Sequence, residues 1–204
     1  AIYFDSGSHQ STINYCNFTD NSANRNGGAL DWHEGANDGL VDNCTFINNT
    51  GGQGSAIMVG GIANDTNTIG RYAFHGDNTK GNNITIQDCT FEDCVASVFD
   101  YQWREDGQPW HYATTNGMGG AVFIVGNNTK VINCNFDNNT ATNGSAVYIL
   151  GINTTVVNTT FTKNRASRDG AVYVLGANTN ITDSKFEDNT AVNGAGTYIR
   201  GENT

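Results

Sequence analysis

Proline occurs once, at Pro109, and lysine and arginine together number ten against twenty acids. The net charge is −10 and the pI lies near 4.5. Nucleic-acid binding needs clustered Lys and Arg, so that class is excluded, and an anionic membrane surface is disfavoured for the same reason. No apolar run reaches the ~18 residues that a bilayer-spanning helix needs, and no signal peptide is recognisable. No segment keeps a 3.6-residue apolar period long enough for a helix, which excludes helical solenoids. Four of the five cysteines, Cys16, Cys44, Cys89 and Cys134, are spaced by 28, 45 and 45 residues. That spacing matches no CxxC zinc pattern. They read instead as a buried column of free thiols, with Cys94 apart from it.

What the chain has in abundance is repetition. Phe18, Phe46, Phe91, Phe136, Phe161 and Phe186 recur, the last three at intervals of 25 residues, each within a similar phrase. VINCNFDNNTATNGSAVYILGINT at 131–154 returns as VVNTTFTKNRASRDGAVYVLGANT at 156–179 and ITDSKFEDNTAVNGAGTYIRGENT at 181–204. Self-similarity at such a period marks units that stack on one another. Each unit holds strand-length runs of Val, Ile, Phe and Tyr bounded by Asn, Gly, Thr and Asp. The pattern predicts an all-β, right-handed parallel β-helix of about seven rungs with two inserted loops, the hand following the rule for parallel crossovers. Phe is expected inside as one column, and Ile13, Val41, Ile86, Val131, Val156 and Ile181 as a second. Three residues after each Phe stand Asn21, Asn49, Cys94, Asn139, Asn164 and Asn189, a predicted amide ladder broken only at Cys94. The chain opens in mid-repeat on AIYF and closes on GENT at a repeat end. Residues 1–204 therefore read as one β-helix domain cut from a longer surface protein, because solenoids cap their ends.

Two tetrapeptides alternate through the chain. FxxN appears as FTDN at 18, FINN at 46, FDNN at 136, FTKN at 161 and FEDN at 186, with FEDC at 91 departing. Its partner is GGAL at 27 and GGAV at 119, loosened to GSAI at 54, GSAV at 144, DGAV at 169 and GAGT at 194. In these phrases the chain resembles the repeats of chlamydial polymorphic outer membrane proteins. Its low-lysine, Asn/Thr-rich wording is similar to adhesin-like surface proteins of methanogenic archaea. The resemblance implies display at the cell surface and adhesion, and it implies no catalytic residue and no cofactor.

Function is sought where the repeat breaks, because the repeat positions build the scaffold. Two intervals exceed the period by twenty residues, placing insertions at about 60–83 and 95–117. The second gathers Phe99, Tyr101, Trp103, Trp110 and Tyr112 beside Asp100, Arg104, Glu105, Asp106 and His111. Aromatic faces stack on the C–H faces of sugar rings while charged groups hydrogen-bond the hydroxyls. Tyr101, Trp103, Arg104, Trp110, His111 and Tyr112 are thus candidate ligand-binding residues; a small satellite core anchoring the loop is the competing reading. A candidate interface consists of Phe123, Val125, Tyr148, Leu150, Tyr173, Leu175 and Tyr198, an outward apolar column expected to be covered, since exposed patches of that size are rare. The alternation turns polar earlier, at Asp31 and His33. Eleven N-x-[ST] sequons are candidate glycosylation sites: Asn17, Asn43, Asn48, Asn64, Asn83, Asn127, Asn138, Asn143, Asn153, Asn158 and Asn180. An Asn/Thr-rich repeat also generates that tripeptide by itself.

The expected function is a non-enzymatic, extracellular adhesin-like or stalk module. It would bind glycans or surface proteins of another cell, or neighbouring copies, without metal or cofactor, nucleic acid or membrane contact. The alternative is a polysaccharide-active lyase, hydrolase or epimerase. Such enzymes need paired carboxylates or calcium along one face. Glu92 with Asp137 is the candidate pair, and Asp5, Asp31, His33 and Glu34 a candidate metal cluster.

Overall fold

Each rung turns where the backbone adopts a conformation that Asn, Asp and Gly tolerate best. Positive φ recurs at three fixed points: three residues before each Phe (Tyr15, Asn43, Asp88, Asn133, Asn158, Asp183), two after it (Asp20, Asn48, Asp93, Asn138, Lys163, Asp188), and eight before it (Gln10, Asp38, Asn83, Asn128, Asn153, Asn178). All but Tyr15, Lys163 and Gln10 are Asn or Asp, whose short polar side chains tolerate the left-handed region. The computed structural model describes residues 2–5, 7–33, 35–60, 81–103 and 111–204, of which 100–103 and 111–115 are described in backbone alone.

Between the bends run strands of mostly three residues, and every pairing in the stack is parallel. One sheet has seven strands: Ile2–Phe4, Leu30–Trp32, Ile57–Val59, Val122–Ile124, Val147–Ile149, Val172–Val174 and Thr197–Ile199. A six-stranded sheet carries the phenylalanines, from Asn17–Thr19 to Lys185–Glu187, and another carries the Ile/Val column, from Thr12–Asn14 to Asn180–Thr182. A four-stranded sheet of Thr50–Gly51, Val95–Ala96, Thr140–Asn143 and Arg165–Asp169 fills part of the remaining side. Consecutive strands in each sheet come from successive passes of the chain, which makes the fold a parallel β-helix of seven rungs.

The phenylalanines stack through the interior with ring centroids 4.5–5.1 Å apart and planes within 11°. Phe46, Phe91, Phe136 and Phe161 are fully buried beside Val41, Ile86, Val131 and Val156. The amide ladder is present: Asn139 donates from both its backbone N and its Nδ2 to Asn164 Oδ1, at 3.1 and 3.0 Å, and Asn164 repeats this onto Asn189 at 2.9 and 3.0 Å. Each Nδ2 also ties back to a Phe carbonyl, as Asn49 does to Phe18 at 2.9 Å. All five cysteines are free. Burial holds the Cys44 and Cys94 thiols up at about 11, so neither ionises near neutrality.

The GGA tetrapeptide has a steric cause. Its first glycine sits at positive φ, 47° at Gly27 and 55° at Gly54. A Cβ there would lie about 2.2 Å from the carbonyl oxygen three residues on. The second position presses on the next rung, and at Gly28 a Cβ would meet Ser55 O at 2.1 Å. Gly120 meets Ser145 O in the same way, so at these two rungs the close backbone stacking leaves no room for a side chain, whereas Ser55 and Ser145 occupy the equivalent place in theirs.

Candidate functional site

Register locates both insertions. Met118 bridges Asn143 while Val95 pairs with Thr140, so three residues of the regular rung face twenty-three here. The chain leaves after Ala96 and re-enters at Gly117, where a Cβ would lie 2.0 Å from Ala96 O. The two feet of the insertion touch, and the rung closes as if nothing had been inserted. The other insertion has the same design: Gly81 lies against Gly60, a Cβ on it falling 3.3 Å from the Gly60 Cα. Residues 61–80, including the sequon at Asn64, lie outside the described residues.

The second insertion rises as an antiparallel hairpin, Phe99–Trp103 against His111–Thr115, with Tyr101 opposite Ala113, Gln102 opposite Tyr112 and Trp103 opposite His111. Arg104 and Trp110 lie outside the described residues, as do the side chains of Tyr101, Trp103, His111 and Tyr112. At the hairpin's foot the described side chains form a cleft of about 360 Å³, lined by Ser22, Asn24, Thr50, Ser97, Val98 and Phe99 among others. The sequence reading missed this cleft. Phe99 belonged to the aromatic cluster, but Ser22 and Thr50 come from two earlier rungs and carry no local signal.

The outer face of the seven-stranded sheet holds a second apolar cluster of Met58, Met118, Phe123, Val125, Tyr148 and Tyr173, with Leu150, Leu175 and Tyr198 packed at its margin. Phe123, Tyr148, Tyr173 and Tyr198 stack at 4.7–5.1 Å. Phe123 is 1% exposed and Tyr173 6% within the single chain, while Tyr3, at the far end of the same column, is 55% exposed. Burial is deepest at Met58, on the strand from which the first insertion departs. Burial raises the Tyr173 phenol pKa, opposed by a hydrogen bond with Arg200.

Asp31 occupies the outward position between Tyr3 and Met58. The polar alternation suggested a solvated group there; the correction is that Asp31 is only 7% exposed. Among the described residues its Oδ1 has no hydrogen-bond partner. Desolvation pushes its pKa up to about 7, with the Arg25 charge acting in the opposite direction. The His33 ring lies tilted by 35° against Tyr3, with centroids 5.2 Å apart. Glu34 lies outside the described residues, and among the described residues no three His, Cys, Asp or Glu side chains gather to hold a metal. Glu92 and Asp137 are register neighbours flanked by Ile47 and Thr162, and Asp137 Oδ1 has no hydrogen-bond partner among the described residues.

The sequons divide by environment. Asn48, Asn83, Asn138, Asn153 and Asn158 stand exposed at positive φ with Nδ2 spent on the rung before, as Asn48 to Asp20 at 2.6 Å and Asn83 to Asp38 at 2.9 Å. These external Asn/Asp ladders went unread in the sequence, although their fixed offsets from Phe signal them. Asn17, Asn43 and Asn180 are exposed. Asn127 is half-buried and accepts from Ile152 N at 3.0 Å. Asn143 is buried, its amide oriented to donate to Asp169 Oδ2 at 3.2 Å.

Residues 15–31 match the family model of the Chlamydia polymorphic membrane protein repeat. The resemblance carried by the tetrapeptides is real there. The matched stretch contains FTDN and GGAL, the two phrases that build an Asn-ladder bend and a glycine-stacked turn. No curated protein and no solved structure matches the chain.

Proposed function

We propose that this β-helix is a non-enzymatic display and adhesion module of an extracellular, cell-surface protein, engaging glycans or surface proteins through its insertions. The observation that carries this reading is the match of one FxxN-to-GGAL unit to a repeat of a membrane protein family. It is supported by a rod whose regular rungs spend their side chains on stacking, leaving recognition to the hairpin that departs from them. Beads coated with the domain should adhere to cells or to immobilised glycans more than beads coated with an unrelated acidic protein. Incubation with neutral and acidic polysaccharides should release no reducing sugar and no unsaturated product. The competing enzyme reading draws on the adjacent Glu92 and Asp137. Polysaccharide cleavage that disappears in Asp137→Asn would replace the adhesion reading with it.

A further inference from the structure

We infer that the cleft at the hairpin's foot is a binding site for a neutral sugar residue; the inference rests on the glycan-binding part of the reading above and assigns it a place and a ligand class. Three successive rungs build the cleft. Ser22 bridges Thr50, Thr50 pairs with Val95, and Ser97 N donates to Gly51 O at 2.8 Å. The Thr50 and Ser22 hydroxyls lie 2.9 Å apart. Whichever of them donates, the pair keeps one hydroxyl proton to give and lone pairs to accept. That is the complement of a sugar's vicinal hydroxyls. Ser97 and the Asn24 amide add further donors and acceptors on the same rim.

The apolar wall is fixed in place. Phe99 packs directly on Gly52: a Cβ there would fall 2.2 Å from Phe99 Cδ1 and 2.5 Å from Cε1. The bare glycine seats the ring on the rod, and the ring, half-buried, lines the cleft. Val98 beside it is 56% exposed. A lining that holds both an aromatic residue and hydroxyls is suited to a pyranose, whose two faces are apolar C–H and whose rim is polar. The cleft's volume of about 360 Å³ sits at the small end of ligand sites, room for a terminal residue rather than a long chain. The described lining carries no charged side chain, and the protein's charge of −10 repels anions at long range. Uronates and sulfated sugars are therefore disfavoured.

The test is ligand-observed NMR on the whole domain with the methyl glycosides of glucose, galactose and mannose, with N-acetylglucosamine, and with glucuronic and galacturonic acids. At least one neutral sugar should bind and the acids should not. Phe99→Ala and, separately, Ser22→Ala should each weaken that binding by about tenfold or more. Circular dichroism melts check the fold, and Ser22→Ala, at an exposed position, remains informative if Phe99→Ala unfolds. Neutral-sugar binding that survives both substitutions overturns the site while leaving glycan binding intact. Stronger binding of the uronates overturns the ligand class. Cell adherence without binding of any sugar in the panel overturns this inference and leaves the adhesion reading standing.

Discussion

Two side-chain columns run along this rod on different sheets, one inside the coil and one on its outer face, and they are built differently. The inner column is phenylalanine in all six strands of its sheet, stacked within 11° and fully buried at every member but the terminal Phe18 and Phe186. The outer column runs from Tyr3 through Asp31, Met58 and Phe123 to Tyr148, Tyr173 and Tyr198. It is buried in the middle and open at the ends. Residues inside the coil are covered by the same repeat that contains them, so one residue type suffices. Residues on the outer face have no such built-in enclosure, and their chemistry changes along the rod. Tyrosine suits the margin, where its ring stacks and its hydroxyl reaches polar groups such as Arg200.

The contrast predicts unequal costs. Phe161→Ala, opening a cavity that no neighbour fills, should lose about 3–5 kcal/mol in chemical denaturation. Tyr173→Ala should lose less, about 2–3 kcal/mol, because its flank at Leu175 is already partly open. Equal losses would mean the outer cluster is as much a core as the inner one.

Asp31 marks the point where the outer column turns from apolar to polar, and its effect is pH-dependent. Its folded pKa of about 7 lies above the ordinary carboxylate value. The unfolded chain therefore releases this proton first as pH rises. Stability contributed by the protonated group is full below about pH 4 and is lost as pH climbs to about 7. Asp31→Asn should raise stability at pH 8 by about 2 kcal/mol and flatten that slope. A mutant whose pH profile overlays the parent would show that Asp31 is solvated after all.

The smallest expected change concerns the inner ladder alone. Cys94 interrupts the asparagines and offers Phe46 O only a 3.7 Å thiol contact. Cys94→Asn would give Asn49 the Oδ1 acceptor that Asn164 gives Asn139, and should add about 1 kcal/mol. A lower melting temperature would mean the neighbouring hairpin needs the smaller side chain.

Much of the fold was legible because a repeat states the same fact several times. Phe136, Phe161 and Phe186 at one spacing place a column inside, and Asn139, Asn164 and Asn189 place a ladder at a bend. The external ladder through Asn83, Asn128 and Asn153 was equally periodic, yet Asn83 and Asn153 read only as sequons, because the tripeptide hides a backbone requirement for positive φ. The cleft was not legible at all. Ser22, Thr50 and Ser97 are unremarkable in their own rungs, and only stacking brings them to one rim beside Phe99.

The sequence by itself determined the rung, since strand length, bend residues and inward side chains are local and repeat with the period. Tertiary structure alone decided which outward residues would be dry. AVYIL and LDW both offer their middle residue to the outside, and Tyr148 and Asp31 are buried while Tyr3 is not. Burial on that face depends on what crosses it, and no residue's own phrase encodes its cover.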